Sequence, residues 1–105
     1  MAAFVLRREG DQASIRLNGD LTALVVPDLQ ADLKQMLEEG VRKLIFDLSD
    51  TAMLDSSGIG LLIASLNSAT KNGGEIRVIN AASEIFRLLQ HMRLTTRLNV
   101  SARSA

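Results

Sequence analysis

The fold is decided by the stretch IFDLSDTAMLDSSGIGLL, which occupies positions 45–62. It opens as an apolar strand, crosses a short polar connection and presents Asp55-Ser56-Ser57-Gly58 where a long helical pattern begins. Ser, Asp and Gly favour helix starts because a side-chain oxygen or a bare backbone satisfies the first-turn N–H groups. A helix start also carries about half a positive charge and open amide donors, which favour phosphate. We therefore expect a hydroxyl here to accept a phosphoryl group at little structural cost.

The composition indicates a single folded domain and argues against several other classes of protein. The chain has 105 residues and 47% of them are hydrophobic, so a single domain with a real core is expected. Twelve basic and twelve acidic residues cancel, and no basic stripe indicates direct nucleic-acid binding. The sequence contains no cysteine, which excludes disulfides and thiolate chemistry. The apolar runs are too short for a bilayer and the N-terminus lacks a signal-peptide pattern, so a cytoplasmic protein without membrane insertion is predicted.

Upstream of the central stretch, the sequence predicts a hairpin followed by a helix. Positions 4–6 and 14–17 have strand character and are joined by a turn-like segment at 10–12. Apolar residues at helical spacing predict a first helix from Leu24 to Glu39. Positions 43–48 are the predicted central strand, because the middle of this segment is continuously apolar.

Downstream, helices and strands continue to alternate. The predicted elements are a second helix from about Ser57 to Lys71, a strand at 76–79, a third helix from about Ala82 to Met92 and a short strand at 98–100. The third helix is expected to bury Ile85, Phe86, Leu88 and Leu89, with Met92 as a further candidate for burial. The small polar end, residues 101–105, is expected to fray, which leaves a domain of residues 1–100. This alternation predicts the α/β class, with a small mixed sheet, an opening hairpin and three or four helices packed mainly on one face.

The outer face of the second helix is predicted to be a docking surface. A buried stripe drawn through Ile59, Leu62 and Leu66 leaves a small, uncharged outer face on which only Leu61 is bulky. Solvated helices usually carry Lys and Glu on that face. We therefore expect Leu61 to lie outside the core and to contact a partner, although single exposed leucines are also common on ordinary surfaces.

Three aspartates follow the central strand and leave two interpretations open. Asp47, Asp50 and Asp55 lie near its carboxyl end, where open α/β sheets bind ligands. A magnesium or acid–base site is one interpretation, and solvated loop carboxylates with a helix cap are the other. Similarly, Ser56-Ser57-Gly58 could be an ordinary helix cap in which serine supplies the hydroxyl.

The residues do not favour an enzyme. His91 is the only histidine, is expected at the surface, and cannot stand between the adjacent Asp55 and Ser56 as a catalytic triad requires. No P-loop pattern is present. An aspartyl-phosphate receiver with Asp47 as acceptor would need an acidic pair after the first strand, where the chain has arginines. No catalytic residue, metal ligand or cofactor is therefore predicted.

Positions 47–62 resemble the signature of STAS domains, specifically those of bacterial anti-sigma factor antagonists. Gly19-Asp20-Leu21 resembles the Gly-Glu-Leu-Asp segment that follows the second strand in this family. Val78-Ile79-Asn80 resembles its fourth strand and turn, and positions 88–94 resemble its third helix and the following turn. The resemblance covers nearly the full chain and implies the STAS fold.

The resemblance implies a switch that works by exchanging partners. The unphosphorylated antagonist binds an anti-sigma factor that is also a serine kinase with a histidine-kinase-like ATPase fold, and a sigma factor is released. The serine directly after the aspartate, Ser56, is the implied phosphorylation site, with Ser57 as the alternative. Phosphate there weakens the complex, and a PP2C-type phosphatase restores the binding form.

The partner-binding surface implied for this chain comprises Asp20, Thr22, Asp55, Ser57 and Gly58, beside the predicted Leu61. Two of these residues depart from the pattern, since Asp20 stands in place of a glutamate and Thr22 in place of an aspartate. STAS domains also serve as adaptors or structural subunits of larger assemblies, in signalling or lipid transport, without a sigma factor. That role is the alternative function.

Overall fold

The protein folds as a five-stranded mixed sheet with helices packed against it, in a computed structural model that describes residues 2–104. Met1 and Ala105, the outer ends of the predicted domain and tail, lie outside the described residues. The strands are β1 (Phe4–Glu9), β2 (Gln12–Leu17), β3 (Lys43–Asp47), β4 (Glu75–Ala81) and β5 (Val100–Ala102). The helices are α1 (Val26–Glu38), α2 (Ser56–Lys71) and α3 (Ser83–His91).

The opening hairpin is confirmed. Strands β1 and β2 are antiparallel, and Glu9 pairs with Gln12 across a turn formed by Gly10 and Asp11. Gly10 has a φ of 60°, a left-handed conformation that glycine adopts without a steric penalty. Strand β1 therefore continues to Glu9, three residues beyond the predicted strand.

All helices lie on one face of the sheet. Strand order follows chain order, and β2 to β5 are parallel, so each crossover adds the next strand on the same side. Because such crossovers are almost always right-handed, the three connecting helices fall on the same face. Burial agrees along β2, where Ala13, Ile15 and Leu17 are buried while Ser14 is half-buried and Arg16 is exposed. The predicted mixed sheet with helices on one face is confirmed.

The central position of β3 is also confirmed. Its Leu44 and Phe46 side chains are almost completely buried between the sheet and the helices. Each helix runs back across the sheet from the end of the strand before it, so α1, α2 and α3 all begin at the carboxyl edge of the parallel strands. This edge brings the Asp55-Ser56 segment next to the connection between β2 and α1.

The prediction that the C-terminal residues fray from Ser101 onward is wrong for residues 101–103. Ser101 and Ala102 belong to β5, and the Arg103 backbone N–H donates to the Ala81 carbonyl at 2.7 Å. The Arg103 guanidinium also donates to the Leu48 carbonyl at 3.0 Å. Small polar residues carry little periodic signal, so pairing with β4 was not visible in the sequence.

Two predicted helix details are corrected. Helix α1 begins at Val26, not at Leu24, because the preceding residues form a separate turn. Helix α3 buries Ile85 and Leu89, whereas Leu88 and Met92, both candidates for burial, are 38% and 43% exposed. None of the helices within residues 2–104 combines the length and the apolar character needed to cross a membrane.

Candidate functional site

Asp55 caps the start of α2 and also holds the neighbouring loop. One carboxylate oxygen, Oδ1, accepts the Gly58 N–H at 2.9 Å, and the other, Oδ2, accepts the Ala23 N–H at 2.9 Å. The interpretation in which a serine hydroxyl caps this helix is therefore wrong. Hydrogen bonds from the Gly58 N–H and then from the Ala23 N–H lower the pKa of the Asp55 carboxyl.

The two serines after Asp55 differ in exposure. Ser56 is the first helical residue and is exposed, whereas Ser57 is half-buried. Within residues 2–104, the structure gives the Ser56 hydroxyl no hydrogen-bond partner. Since Asp55 performs the capping, the Ser56 hydroxyl is left available to solvent at a helix start, where added negative charge is tolerated.

Two loops are bound together beneath Ser56 and form one unit, which we call the platform (residues 19–25 and 49–57). Asp20 Oδ1 accepts the N–H groups of Ala52 and Met53, each at 3.0 Å. The buried Thr51 hydroxyl donates to the Gly19 carbonyl at 2.8 Å. Bridging between Leu21 and the residues around Leu54 adds backbone hydrogen bonds. The platform therefore presents Ser56 on a firmly connected base.

Asp20 and Thr22 both have structural tasks in the platform. The Asp20 carboxylate binds the backbone N–H groups of Ala52 and Met53 directly. Its side chain, shorter than the glutamate of the family pattern, suits this direct contact. The Thr22 carbonyl accepts the N–H groups of Val25 and Val26 at 2.9 and 3.0 Å, and its hydroxyl accepts the Leu24 N–H at 3.3 Å. Thr22 therefore shapes the turn that leads into α1.

Gly58 is required for the close approach of α2 to the platform. A Cβ atom at this position would overlap the backbone carbonyl oxygen of Leu21 and approach its side chain within 3.0 Å. The same Leu21 carbonyl accepts the Asp55 N–H at 3.3 Å. Gly58 is buried, so its contribution to a partner surface is indirect: it sets the position of the helix start.

The prediction that Leu61 lies outside the core is wrong. Leu61 is only 4% exposed and Leu62 is fully buried, so both leucines face the interior. Helix α2 packs against the sheet and also against α1, where Leu61 lines a shared groove with Leu33 and Leu37. A helix with two packing neighbours buries a wider arc than the single stripe assumed from periodicity. The exposed positions of α2 are Ser56, Gly60, Ala64, Asn67, Thr70 and Lys71.

Two apolar side chains that the sequence interpretation missed are exposed on the platform. Leu24 is 91% exposed and Met53 is 52% exposed. The predicted first helix includes Leu24, and the sequence pattern gives no expectation of its exposure. The signal is Pro27, which is typical of a first helical turn and indicates that the helix begins after Leu24.

The three aspartates after β3 do not converge on one site. Asp50 pairs with Arg16 at 2.9 Å, and Asp55 caps α2. Asp47 accepts hydrogen bonds from the Asn80 side chain and the Ser49 N–H, each at 3.0 Å. Partial burial pushes the pKa of Asp47 upward, but these hydrogen bonds outweigh it and the pKa is lowered.

The arrangement fits loop carboxylates better than a metal or acid–base centre. No group of three His, Cys, Asp or Glu side chains within residues 2–104 is placed to hold a metal ion. His91 is exposed at the end of α3, as predicted.

Several known proteins with a similar sequence or fold are named as anti-sigma factor antagonists. An anti-sigma-B factor antagonist of Staphylococcus aureus is 26% identical over 87 residues, covering 83% of this chain and 81% of that protein. The anti-sigma factor antagonist SpoIIAA in its unphosphorylated form has a TM-score of 0.75 at 23% identity, over 84% of this chain and 82% of that one. The phosphorylated form of the Bacillus cell fate determinant SpoIIAA has a TM-score of 0.81 at 21% identity, over 97% and 92%.

The solved structures establish the similarity of fold. A family model described as "Mlab, STAS domain" matches residues 4–100, which is nearly the whole chain. The resemblance found in the sequence is therefore confirmed, and the chain belongs to the STAS domain family.

Proposed function

We propose that this protein is an anti-sigma factor antagonist that is switched by phosphorylation at Ser56. In its unphosphorylated form it binds an anti-sigma factor that is also a serine kinase with a histidine-kinase-like ATPase fold, which frees a sigma factor. The kinase ends the interaction by modifying Ser56, and a PP2C-type phosphatase reverses it. The names of its relatives support this function. The observation that carries it is the exposed Ser56 hydroxyl at a helix start already capped by Asp55.

The location of Ser56 suits a switch that acts on a partner and leaves the fold intact. Phosphorylation adds about −1.5 to −2 charges and three acceptor oxygens. At the start of α2 this charge meets the positive end of the helix dipole, which offsets repulsion from the Asp55 carboxylate. The free energy of folding therefore changes little, while any contact that buries the Ser56 hydroxyl must accommodate a bulky dianion.

The proposed contact surface is the platform. Asp20, Thr22 and Asp55 shape it through the hydrogen bonds described above, and Gly58 sets the height of α2 over it. Ser57 lies at its edge and remains the alternative acceptor, although its half-buried side chain favours Ser56. The protein acts without catalysis of its own, in the cytoplasm, where its kinase, phosphatase and sigma factor operate.

The test combines site mapping with partner capture. Protein purified from the native cell is analysed by tandem mass spectrometry, and wild-type, Ser56→Ala and Ser56→Asp forms are used as baits in native lysate. Phosphate on Ser56, with a kinase retained by the Ser56→Ala form and lost from the Ser56→Asp form, is the expected result. Phosphate found on Ser57 alone would overturn the assignment of the acceptor.

A STAS adaptor without a sigma factor target is the second candidate. The family model favours this role because its description, "Mlab, STAS domain", does not name an antagonist. The relatives that are named as antagonists are 25–26% identical to this chain. An adaptor needs no modification, so native protein without phosphate and equal capture of partners by all three forms would favour this role.

A further inference from the structure

We propose that Leu24 and Met53 form the apolar anchor of the platform, which docks into an apolar recess within a positively charged surface of the anti-sigma factor/kinase. The proposal rests on the function proposed above and specifies how that partner is recognised. It replaces Leu61, which is buried, with two side chains that are exposed beside the switch.

The anchor residues are held in place by the same hydrogen bonds that support Ser56. Leu24 follows Ala23, whose N–H binds the Asp55 carboxylate, and its own N–H is bound by the Thr22 hydroxyl. Met53 donates its N–H to Asp20, and its carbonyl accepts the Leu21 N–H at 3.2 Å. Because the backbone of both loops is already ordered, binding does not have to order it, which favours affinity.

Charge indicates what kind of surface covers the anchor. The segments 17–33 and 44–70 contain Asp20, Asp28, Asp32, Asp47, Asp50 and Asp55, and all twelve Lys and Arg residues lie outside them. Two arginines from other segments reach this edge, Arg16 in an ion pair with Asp50 and Arg103 bound to backbone carbonyls, so the six aspartates still outnumber the basic side chains. The edge that carries Ser56 is therefore acidic although the whole chain is neutral, and it complements a basic partner.

An acidic platform also determines how phosphate must act. Additional negative charge on Ser56 strengthens long-range attraction to a basic surface, so it does not slow the encounter of the two proteins. The phosphate instead disrupts the close contact at the anchor, where a dianion must lose its hydration. Phosphorylation is therefore expected to increase the dissociation rate and to leave the association rate unchanged or higher.

The test uses purified serine kinases of histidine-kinase-like ATPase fold from the source organism as probes. Each is first assayed for phosphorylation of the wild-type protein, and binding kinetics are then measured on an optical biosensor at about 50 and 500 mM salt. The anchor variants are Leu24→Gln and Met53→Gln. The matched controls are Leu88→Gln and Met92→Gln, chemically identical changes at exposed positions in α3 and at its C-cap.

The expected result is a loss of affinity of about tenfold or more for each anchor variant, none for the controls, and an association rate that falls steeply with salt. Equal binding by the anchor variants and their controls would overturn the anchor while leaving the switch intact. An association rate independent of salt would overturn the basic partner surface. If no kinase binds or phosphorylates the wild-type protein, the proposed function itself fails and the docking proposal fails with it.

Discussion

Helices α2 and α3 begin in similar places but are attached to the protein in different ways. Both start at the carboxyl edge, after the neighbouring strands β3 and β4, and both have an exposed serine as first residue, Ser56 and Ser83. The third residue is Gly58 in α2 and the buried Ile85 in α3. The backbone of α2 therefore packs directly against Leu21, whereas the Ile85 side chain separates the backbone of α3 from the core.

The caps differ as well. Asp55 caps α2 and binds the neighbouring loop, whereas Ala82 precedes α3 without any side-chain cap. An exposed serine at a helix start is thus not distinctive by itself. What distinguishes Ser56 is a helix start joined to a second loop, so that the hydroxyl, Leu24 and Met53 belong to one connected surface.

The largest effect on the free energy of unfolding is expected at Ile85, whose buried side chain packs α3 against the core. Ile85→Ala should lower the free energy of unfolding by about 2–5 kcal/mol, because the 2% exposed side chain leaves a cavity. Urea unfolding followed by circular dichroism measures the change. Ile45→Ala, at a half-buried position on the open face of the sheet, is the control and should cost less. Equal losses would mean that α3 does not rely on Ile85.

Adding a methyl group at Gly58 tests the close approach of the α2 backbone to Leu21. Gly58→Ala should destabilise the protein by about 1–3 kcal/mol, since the new Cβ atom forces α2 away from Leu21. Gly60→Ala is the matched control, because nothing lies within 4 Å of a Cβ there and the position is exposed. It should stabilise by about 0.5–1 kcal/mol. A similar response of the two variants in urea unfolding would exclude the proposed packing.

The start of α2 was predictable from its local residues, whereas the packing of the side chains of α2 and α3 was not. The strand-to-helix order, the central strand and the start of α2 followed from alternation, an apolar run and Asp-Ser-Ser-Gly. The burial of Leu61 did not follow, because periodicity shows which residues share a helix face but not how many neighbours the helix has. The exposure of Leu88 escaped for the same reason.

The platform was only partly predictable. Asp55, Ser56 and the segment around Asp20 could be located in the sequence, but the hydrogen bonds that join them connect residues 32 or 33 positions apart. Such long-range contacts leave no periodic pattern in one sequence. The strand beyond Val100 was missed on similar grounds, because its pairing depends on β4 and not on its own small polar residues.

The cap of α2 should have a moderate effect that depends on pH. Asp55→Ala is expected to lower the melting temperature by roughly 5 °C at pH 7, because it removes the bonds to the Gly58 and Ala23 N–H groups. Since folding lowers the pKa of Asp55, its stabilising effect is complete above the unfolded pKa of about 4 and is lost as the pH falls through the folded pKa. The difference in melting temperature between wild type and variant should therefore shrink progressively as the pH is lowered below about 4.

Adding a capping side chain before α3 is the reciprocal control for removing the Asp55 cap of α2. Ala82 has a non-helical backbone, with φ −59° and ψ 153°, so Ala82→Ser can place a hydroxyl near the first-turn N–H groups. The melting temperature should rise by a few degrees and should not depend on pH between 3 and 7, because serine does not titrate. A pH-dependent change would show that a carboxyl group elsewhere is involved.

The smallest effect on stability, and the sharpest on function, is expected from the two serines themselves. Ser56→Asp and Ser83→Asp place the same charge at the first position of each helix, and each has one acidic neighbour, Asp55 or Glu84. Thermal melting should show a change between zero and about 1 kcal/mol of stabilisation for both. A fall for Ser56→Asp that exceeds the fall for Ser56→Ala would contradict the geometry of the helix start. Binding to the kinase should separate the pair, because Ser83 lies outside the platform and its substitution leaves Leu24 and Met53 accessible. If Ser83→Asp weakens binding as much as Ser56→Asp, negative charge anywhere along the carboxyl edge suffices, and the connection between α2 and its neighbouring loop is not what makes Ser56 the switch.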